Sequence, residues 1–319
     1  MSGIAGKVAV QAAQVALVVA LAPLLVGWVR KVKARLLRRR GPAIAQPYRD
    51  LWRLLRKEAV VAEDASWLFR VAPYLVFAAI WAAAALVPTF ATGLVFGRAA
   101  DLIAIVGLLA TARFFLALAG LDVGTSFGGI GASREMFIAT LAEPAMLMIV
   151  FTVSLLAGTT QLDAVSAHLR SPEAGLHVAL GLAFVALVMV AVAENGRIPV
   201  DNPATHLELT MVHEAMVLEY SGRHLALIEA AAAVKLLLYV SLLACIFAPW
   251  GIAGPGASPL ALAIGAAVWT AKLAAGGAML AVFETVVAKM RVFRVPQYLG
   301  AALMLGLLGT LLLFVTRSL

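Results

Sequence analysis

The sequence predicts an all-α polytopic integral membrane protein: eight transmembrane helices plus a short interfacial amphipathic helix, with both termini on the external side. Three observations lead there. The 319 residues are 63% hydrophobic and 13% charged, with mean hydropathy +0.98, too apolar to clothe a soluble surface. Eight nearly uncharged stretches each approach the ~20 residues that cross ~30 Å of hydrocarbon. Of 25 Lys and Arg, 18 fall in the loops after spans one, three, five and seven and 4 on the other side, so the positive-inside rule makes those loops cytoplasmic.

The elements follow in order within a single membrane domain, 1–319. The first span, 8–29, is followed by Arg30-Lys31-Val32-Lys33 and not by a small-residue cleavage site, so a removable signal peptide is not expected. The basic cytoplasmic loop 30–70 contains an amphipathic helix at 47–58. There Tyr48, Leu51, Trp52 and Leu55 recur at i, i+3, i+4, i+7, while Arg49, Asp50, Arg53, Arg56 and Lys57 take the other face and Pro47 suits the first turn. This helix anchors on anionic lipid, or it walls a cavity or docks a cytoplasmic partner.

The later spans are expected near 71–90, 101–121, 136–158, 176–194, 225–248, 260–283 and 297–316. The external connections, about 91–100, 159–175 and 249–259, are rich in Gly, Pro, Ser and Thr and read as plain connectors. Gly124, Gly128, Gly129 and Gly131 read as shaping a tight cytoplasmic loop. The acidic cytoplasmic loop 195–224 holds Pro199 and Pro203 early, and 204–220 has the makings of a helix that dips towards the membrane.

Twelve of the basic residues lie between the first two spans, so the charge of +8 reads as topology and anionic lipid, not nucleic acid. The single cysteine, Cys245, leaves no thiolate set for zinc, iron–sulfur or haem, which puts any redox cofactor on partner chains. Enzyme motifs fail on spacing. His213-Glu214 opens HExxH, but Val217 stands where the second His belongs. His206 and His213 are too few for a metal site, and the glycines after span three complete no GxGxxG.

The chemistry therefore rests on charges in or beside the membrane. Lys235 and Lys272 lie roughly ten to twelve residues from either end of their spans and cannot easily snorkel out. Burial disfavours the ammonium, so each serves proton exchange, or forms a static pair with a carboxylate on a neighbouring helix. Glu143 must be protonated, paired or wetted, and Arg113 is the in-span cation nearest in depth. Glu229 and Glu284 sit at cytoplasmic span ends, where interfacial solvation would satisfy them, and Asp101 reads as a boundary residue. Six carboxylates and two arginines crowd the 36 residues from Glu194 to Glu229. Such a strip is a solvated loop, a proton antenna or the lining of a hydrated path.

Three further blocks stand out: Arg39-Arg40-Gly41-Pro42 with Gln46 and the helix to Lys57-Glu58; Leu121-Asp122-Val123-Gly124-Thr125 through Gly131-Ala132-Ser133-Arg134-Glu135 to Glu143-Pro144; and Glu194-Asn195-Gly196-Arg197-Ile198-Pro199-Val200-Asp201 with Glu208-Leu209 and Glu219-Tyr220-Ser221-Gly222. Together they resemble a known family, the eight-span membrane subunit shared by respiratory complex I and the energy-converting nickel–iron hydrogenases. The resemblance implies a non-catalytic membrane subunit of an oxidoreductase complex in the cell inner membrane. It implies partner membrane subunits of the antiporter-like kind and a hydrophilic arm carrying iron–sulfur clusters. Proton (or sodium) coupling would run through Glu143, Glu194, Arg197, Asp201, Glu208, Glu214, Glu219, Lys235 and Lys272. Arm docking would fall to Arg40, Gln46, Trp52, Asp122, Arg134, Glu135 and Tyr220.

Departures refine this. After Asp201 stands Asn202-Pro203-Ala204-Thr205-His206, without the two acids of the quinone-reducing enzymes, and the interval from Glu208 to Glu219 is longer and carries His213 and Glu214. Together with Gly131-Ala132-Ser133-Arg134-Glu135, this resembles the formate-hydrogenlyase and hydrogenase-4 branch, whose arm carries a nickel–iron site, and it speaks against quinone binding. A quinone-site subunit, a stand-alone ion transporter and a purely structural anchor are the competing readings. The transporter lacks the paired broken helices expected of repeated halves.

Overall fold

The computed structural model describes residues 3–171, 177–201 and 211–318. Most of these residues are helical. The helices are α1 (Ile4–Leu36), α2 (Gln46–Leu55), α3 (Trp67–Leu86), α4 (Leu102–Asp122), α5 (Ser126–Ala157), α6 (Leu162–Arg170), α7 (Val178–Glu194), α8 (His213–Val217), α9 (Gly222–Phe247), α10 (Pro259–Val286) and α11 (Val295–Ser318). Seven stretches are long and apolar enough to cross a membrane: α1, α3, α4, α5, α9, α10 and Val292–Thr316. The expected fifth span, 176–194, contains α7, an apolar helix of 17 residues that covers about 25 Å and falls short of the other seven.

Local chemistry sets several of the starts. The side chains of Ser66, Asp101, Thr125 and Ser258 accept hydrogen bonds from the backbone N–H groups of Leu68, Ile103, Gly128 and Ala261, satisfying donors that helix geometry leaves bare. Asp101 is thus a helix cap and not merely a boundary residue. Pro23, Pro73 and Pro144 lie inside helices, as the surrounding bundle permits.

Helix α5 starts ten residues before the expected 136, because the stretch 126–135 expected as a loop is helical. Gly124, at φ +68°, does shape the turn before α5 and Gly129 meets nothing within 4 Å, but Gly128 and Gly131 serve packing. A Cβ on Gly128 would lie 2.1 Å from the Gly120 carbonyl oxygen, and one on Gly131 would lie 2.9 Å from both Ala215 Cβ and the Val212 carbonyl oxygen. Only hydrogen at these positions lets α5 close on the end of α4 and on α8. Of the helix considered for 204–220, five residues, His213–Val217, are helical, and 202–210 lie outside the described residues.

Helix α2 begins at Gln46 and ends at Leu55, shorter than the expected 47–58, and rests on α1 and α9. Pro47 is buried while Trp52 and Leu55 are exposed. The loop behind it is seated on α9. Val60 N donates to Ser221 Oγ at 2.8 Å, and a Cβ on Gly222, at φ +53°, would meet the Glu58 carbonyl oxygen at 2.4 Å. This end of the bundle, which carries α2, is called the basic end below.

At the opposite end, the connectors expected to be plain are tied to one another. Thr92 N donates to Ala253 O (3.0 Å), Ala253 N to Phe90 O (2.8 Å), Leu102 N to Thr160 O (3.0 Å) and Leu162 N to Ala100 O (2.8 Å). Helix α6 falls within the connection 159–175, because Leu162, Val165 and Ser166 at helical spacing are buried. Asp163 Oδ2 accepts from Gly93 N at 2.8 Å, and Arg170 Nη1 donates to Ile252 O at 2.8 Å. The result is a hydrogen-bonded cap over this end.

Candidate functional site

Arg113, on α4, is the centre of a buried ion-pair network. Its side chain is 4% exposed, and each guanidinium nitrogen faces a different carboxylate: Nε lies 3.5 Å from Glu135 Oε1, Nη1 3.4 Å from Glu143 Oε1, and Nη2 pairs with Glu194 Oε1. Glu194 closes α7, and its second oxygen lies 3.1 Å from Lys235 Nζ on α9. Four helices therefore contribute to one connected line, Glu143–Arg113–Glu194–Lys235, with Glu135 as a branch. Glu135 and Glu143 stand eight residues apart on α5, two turns and a fraction, so both reach the same guanidinium.

Three carboxylates face two cations here. Fully ionised, the group carries one uncompensated negative charge, so one carboxylate can accept a proton without leaving a bare cation in low dielectric. The carboxylate best placed to exchange with its surroundings is Glu143, whose side chain is 41% exposed, against 3% for Glu194. Glu143 and Arg113 line a cleft of about 340 Å³ between α4 and α5, walled by Ala110, Thr111, Phe114, Phe115 and Met136.

A second set of ion pairs lies at the basic end. Glu284, near the end of α10, accepts from Lys33 Nζ of α1 at 2.8 Å and pairs with Arg197 Nη1 at 3.3 Å. Asp201 Oδ1 pairs with Lys289 Nζ at 3.0 Å, and Met290 N donates to Pro199 O at 2.9 Å. Burial pulls Arg197 below the usual arginine range and Arg30 adds to that, while Glu284 opposes it. Glu284 is 6% exposed, so the interfacial solvation expected for it is replaced by two ion pairs.

The other expected site residues divide. Glu208 and His206 lie outside the described residues. Glu214 is half-buried on α8, and Glu219 is exposed. Lys272 joins neither network: its Nζ donates to the carbonyl oxygens of Ala248 and Trp250 at the end of α9, so it does find an exit from the bundle interior, contrary to expectation.

Among the residues expected to dock an arm, Arg40 and Trp52 are exposed, and Gln46 is half-buried and donates to Asp50 Oδ1 at 3.1 Å. The Arg56 guanidinium lies 4.6 Å from the Trp52 ring centre. Tyr220 offers no such surface. It is 4% exposed, its ring stacks on Phe69 at 3.9 Å, its hydroxyl donates to Phe69 O at 3.0 Å, and burial with nearby Asp122 pushes its phenol above the usual range. Asp122 accepts from Ser66 N at 2.9 Å, Arg134 donates to Met211 O at 2.7 Å, and Glu135 faces Arg113. These three are half-buried and each makes a contact within this chain.

The fold and this site define a multi-pass protein of the cell inner membrane with an ionic interior at one end and a hydrogen-bonded cap at the other. The NADH dehydrogenase family matches residues 8–315, and the chain belongs to that family. Formate hydrogenlyase subunit 4 of Escherichia coli (strain K12) is 33% identical over 279 residues, covering 87% of this chain and 89% of that one. Hydrogenase-4 component C of the same organism is 35% identical over 243 residues, 75% of each. Subunits of NADH-quinone oxidoreductases follow at lower identity. That of Bacteroides thetaiotaomicron is 29% identical over 260 residues, covering 75% of this chain and 69% of that one. Among solved structures, a chain of the membrane-bound sulfane sulfur reductase, an archaeal respiratory membrane complex, shares the fold. Its TM-score is 0.80 at 20% identity, with 97% of this chain and 99% of that one covered.

Proposed function

We propose that this chain is the membrane subunit of a complex-I-like oxidoreductase of the hydrogenase-4 type, anchoring a hydrophilic electron-transfer arm and coupling its reaction to proton (or sodium) movement. The observation that carries the reading is the buried line Glu143–Arg113–Glu194–Lys235. Such a line is costly inside a bilayer, and intramembrane ionisable groups that bear that cost are characteristic of ion pathways. In this reading the chain crosses eight times, with α7 as the fifth crossing, the basic end cytoplasmic and both termini external. The cap closes the external end, so ions pass sideways through the cleft at Glu143 to a neighbouring antiporter-like membrane subunit.

The exposed Arg40, Trp52 and Glu219 would meet the arm, and the basic loop would meet anionic lipid. Iron–sulfur clusters, and a nickel–iron site where the arm keeps hydrogen chemistry, belong to partner subunits. Formate hydrogenlyase subunit 4 and hydrogenase-4 component C, at 33% and 35% identity, favour this over the quinone-site reading that the NADH-quinone oxidoreductase relatives suggest at 29%. Glu143→Gln should abolish coupled ion movement in membrane vesicles while the complex still assembles; unchanged translocation would remove Glu143 from the path. Metal analysis of the native complex separates the two arm types, since stoichiometric nickel with iron marks the hydrogenase type and iron alone the nickel-free one.

A further inference from the structure

The segment from Glu194 to Asp201 is where the two ionic sets meet. Within these residues Glu194 holds Arg113 and Lys235, Arg197 reaches Glu284, and Asp201 reaches Lys289. Glu284 is the pivot of the second set, with each oxygen committed to one cation, and among the described residues Arg197 has no other carboxylate partner. The packing of α1 on α10 does not depend on it. Trp28 Nε1 donates to Ala274 O at 2.9 Å, and Gly277 admits Leu25, Trp28 and Val29 at contacts where a Cβ would lie 2.8–3.3 Å away. Lys33, at 29% side-chain exposure, has access to water, whereas Arg197 is 16% exposed. Removing Glu284 therefore strands Arg197 far more than Lys33.

Resting on the proposed coupling function, we infer that Glu284 is a positioning residue: by pinning Arg197 it holds the start of the acidic loop so that Glu194 stays between Arg113 and Lys235. It touches no reacting group. Its influence passes through Arg197 and the short stretch of backbone that joins Arg197 to Glu194. Lys33, sharing the same carboxylate from the α1 side, is dispensable for this.

The test uses the intact complex in membrane vesicles and reads ions moved per electron pair, together with the thermal stability of the purified complex. Glu284→Gln should lose most of the ratio, while Glu284→Asp restores most of it and Lys33→Met leaves it unchanged. An unaltered ratio in Glu284→Gln would overturn the inference. So would an equal fall in Lys33→Met, which would make the pair a simple clamp between α1 and α10. Should Glu284→Gln fail to assemble, the double variant Arg197→Gln with Glu284→Gln removes both charges together; assembly with a normal ratio there also overturns it. Glu194→Gln keeps the two levels apart, because a normal ratio in that variant fails the path itself, whereas loss there with a normal Glu284→Gln fails only the positioning role.

Discussion

Lys235 and Lys272 make a controlled comparison between the two ends of the molecule. Each stands fourteen residues into its helix, counting from Gly222 and from Pro259, and each is flanked by apolar residues. Yet Lys235 faces a carboxylate inside a network of five charges, while Lys272 donates to backbone carbonyls at the end of α9. One ammonium has a partner that can change its own charge. The other is held by neutral backbone carbonyls just beyond the last residue of α9, which do not titrate. The same contrast holds for carboxylates. Glu194 shares two cations, whereas Asp163 at the capped end is tied to the Gly93 N–H, with burial raising its pKa against that bond and Arg170. Depth in a span makes a charge costly; what it faces decides whether it can do chemistry.

The largest effect should come from the hub. Arg113→Met leaves Glu194 with Lys235 alone and strips Glu135 and Glu143 of the guanidinium they share. Removing one member of a buried ionic group costs about 3–5 kcal/mol, so the melting temperature of the purified complex in mild detergent should fall more than for any other single change discussed. A small fall would mean that water already screens the network.

Next come the lysines themselves. Lys235→Met should suppress coupled ion movement. Lys272→Met should leave the ions-per-electron ratio unchanged and cost about 1–2 kcal/mol of stability through the lost charged donor at the end of α9. Equal effects on the ratio would erase the distinction between the two ends.

Legibility followed the same division. Apolar length and loop charge made the helices readable, because each span carries its own signal in consecutive residues. Caps at Ser66, Asp101, Thr125 and Ser258 are equally local. What stayed hidden was pairing across the bundle. Glu284 sits at a helix end, where solvation is the ordinary outcome, and nothing in its neighbourhood along the chain reveals Lys33 251 residues away or Arg197 87 residues away. Likewise the glycines at 128 and 131 read as a loop, because the surfaces they must approach belong to α4 and α8.

Those glycines offer a sharper probe of the basic end. Gly131→Ala forces a methyl against Ala215 Cβ and the Val212 carbonyl, and overpacking of that kind costs about 1–3 kcal/mol. Since α8 lies within the acidic loop, the variant should also loosen 211–220, read as faster amide exchange there, with the capped end unaffected.

The smallest effect tests the docking surface. Asp122 resembles an arm-contacting residue by its motif, yet in the structure its carboxylate accepts from Ser66 N, the residue that caps α3. Asp122→Asn keeps the size and weakens the acceptor, so stability should drop by about 0.5–1.5 kcal/mol with the affinity for the arm unchanged. Trp52, exposed on α2 with Arg56 beside its ring, is the contrasting position, and Trp52→Ala should weaken the arm without lowering stability. If instead Asp122→Asn releases the arm and Trp52→Ala does not, the arm reads the 60–66 and 122 edge directly. The basic end would then have to be divided between a docking rim at that edge and an ionic interior behind it.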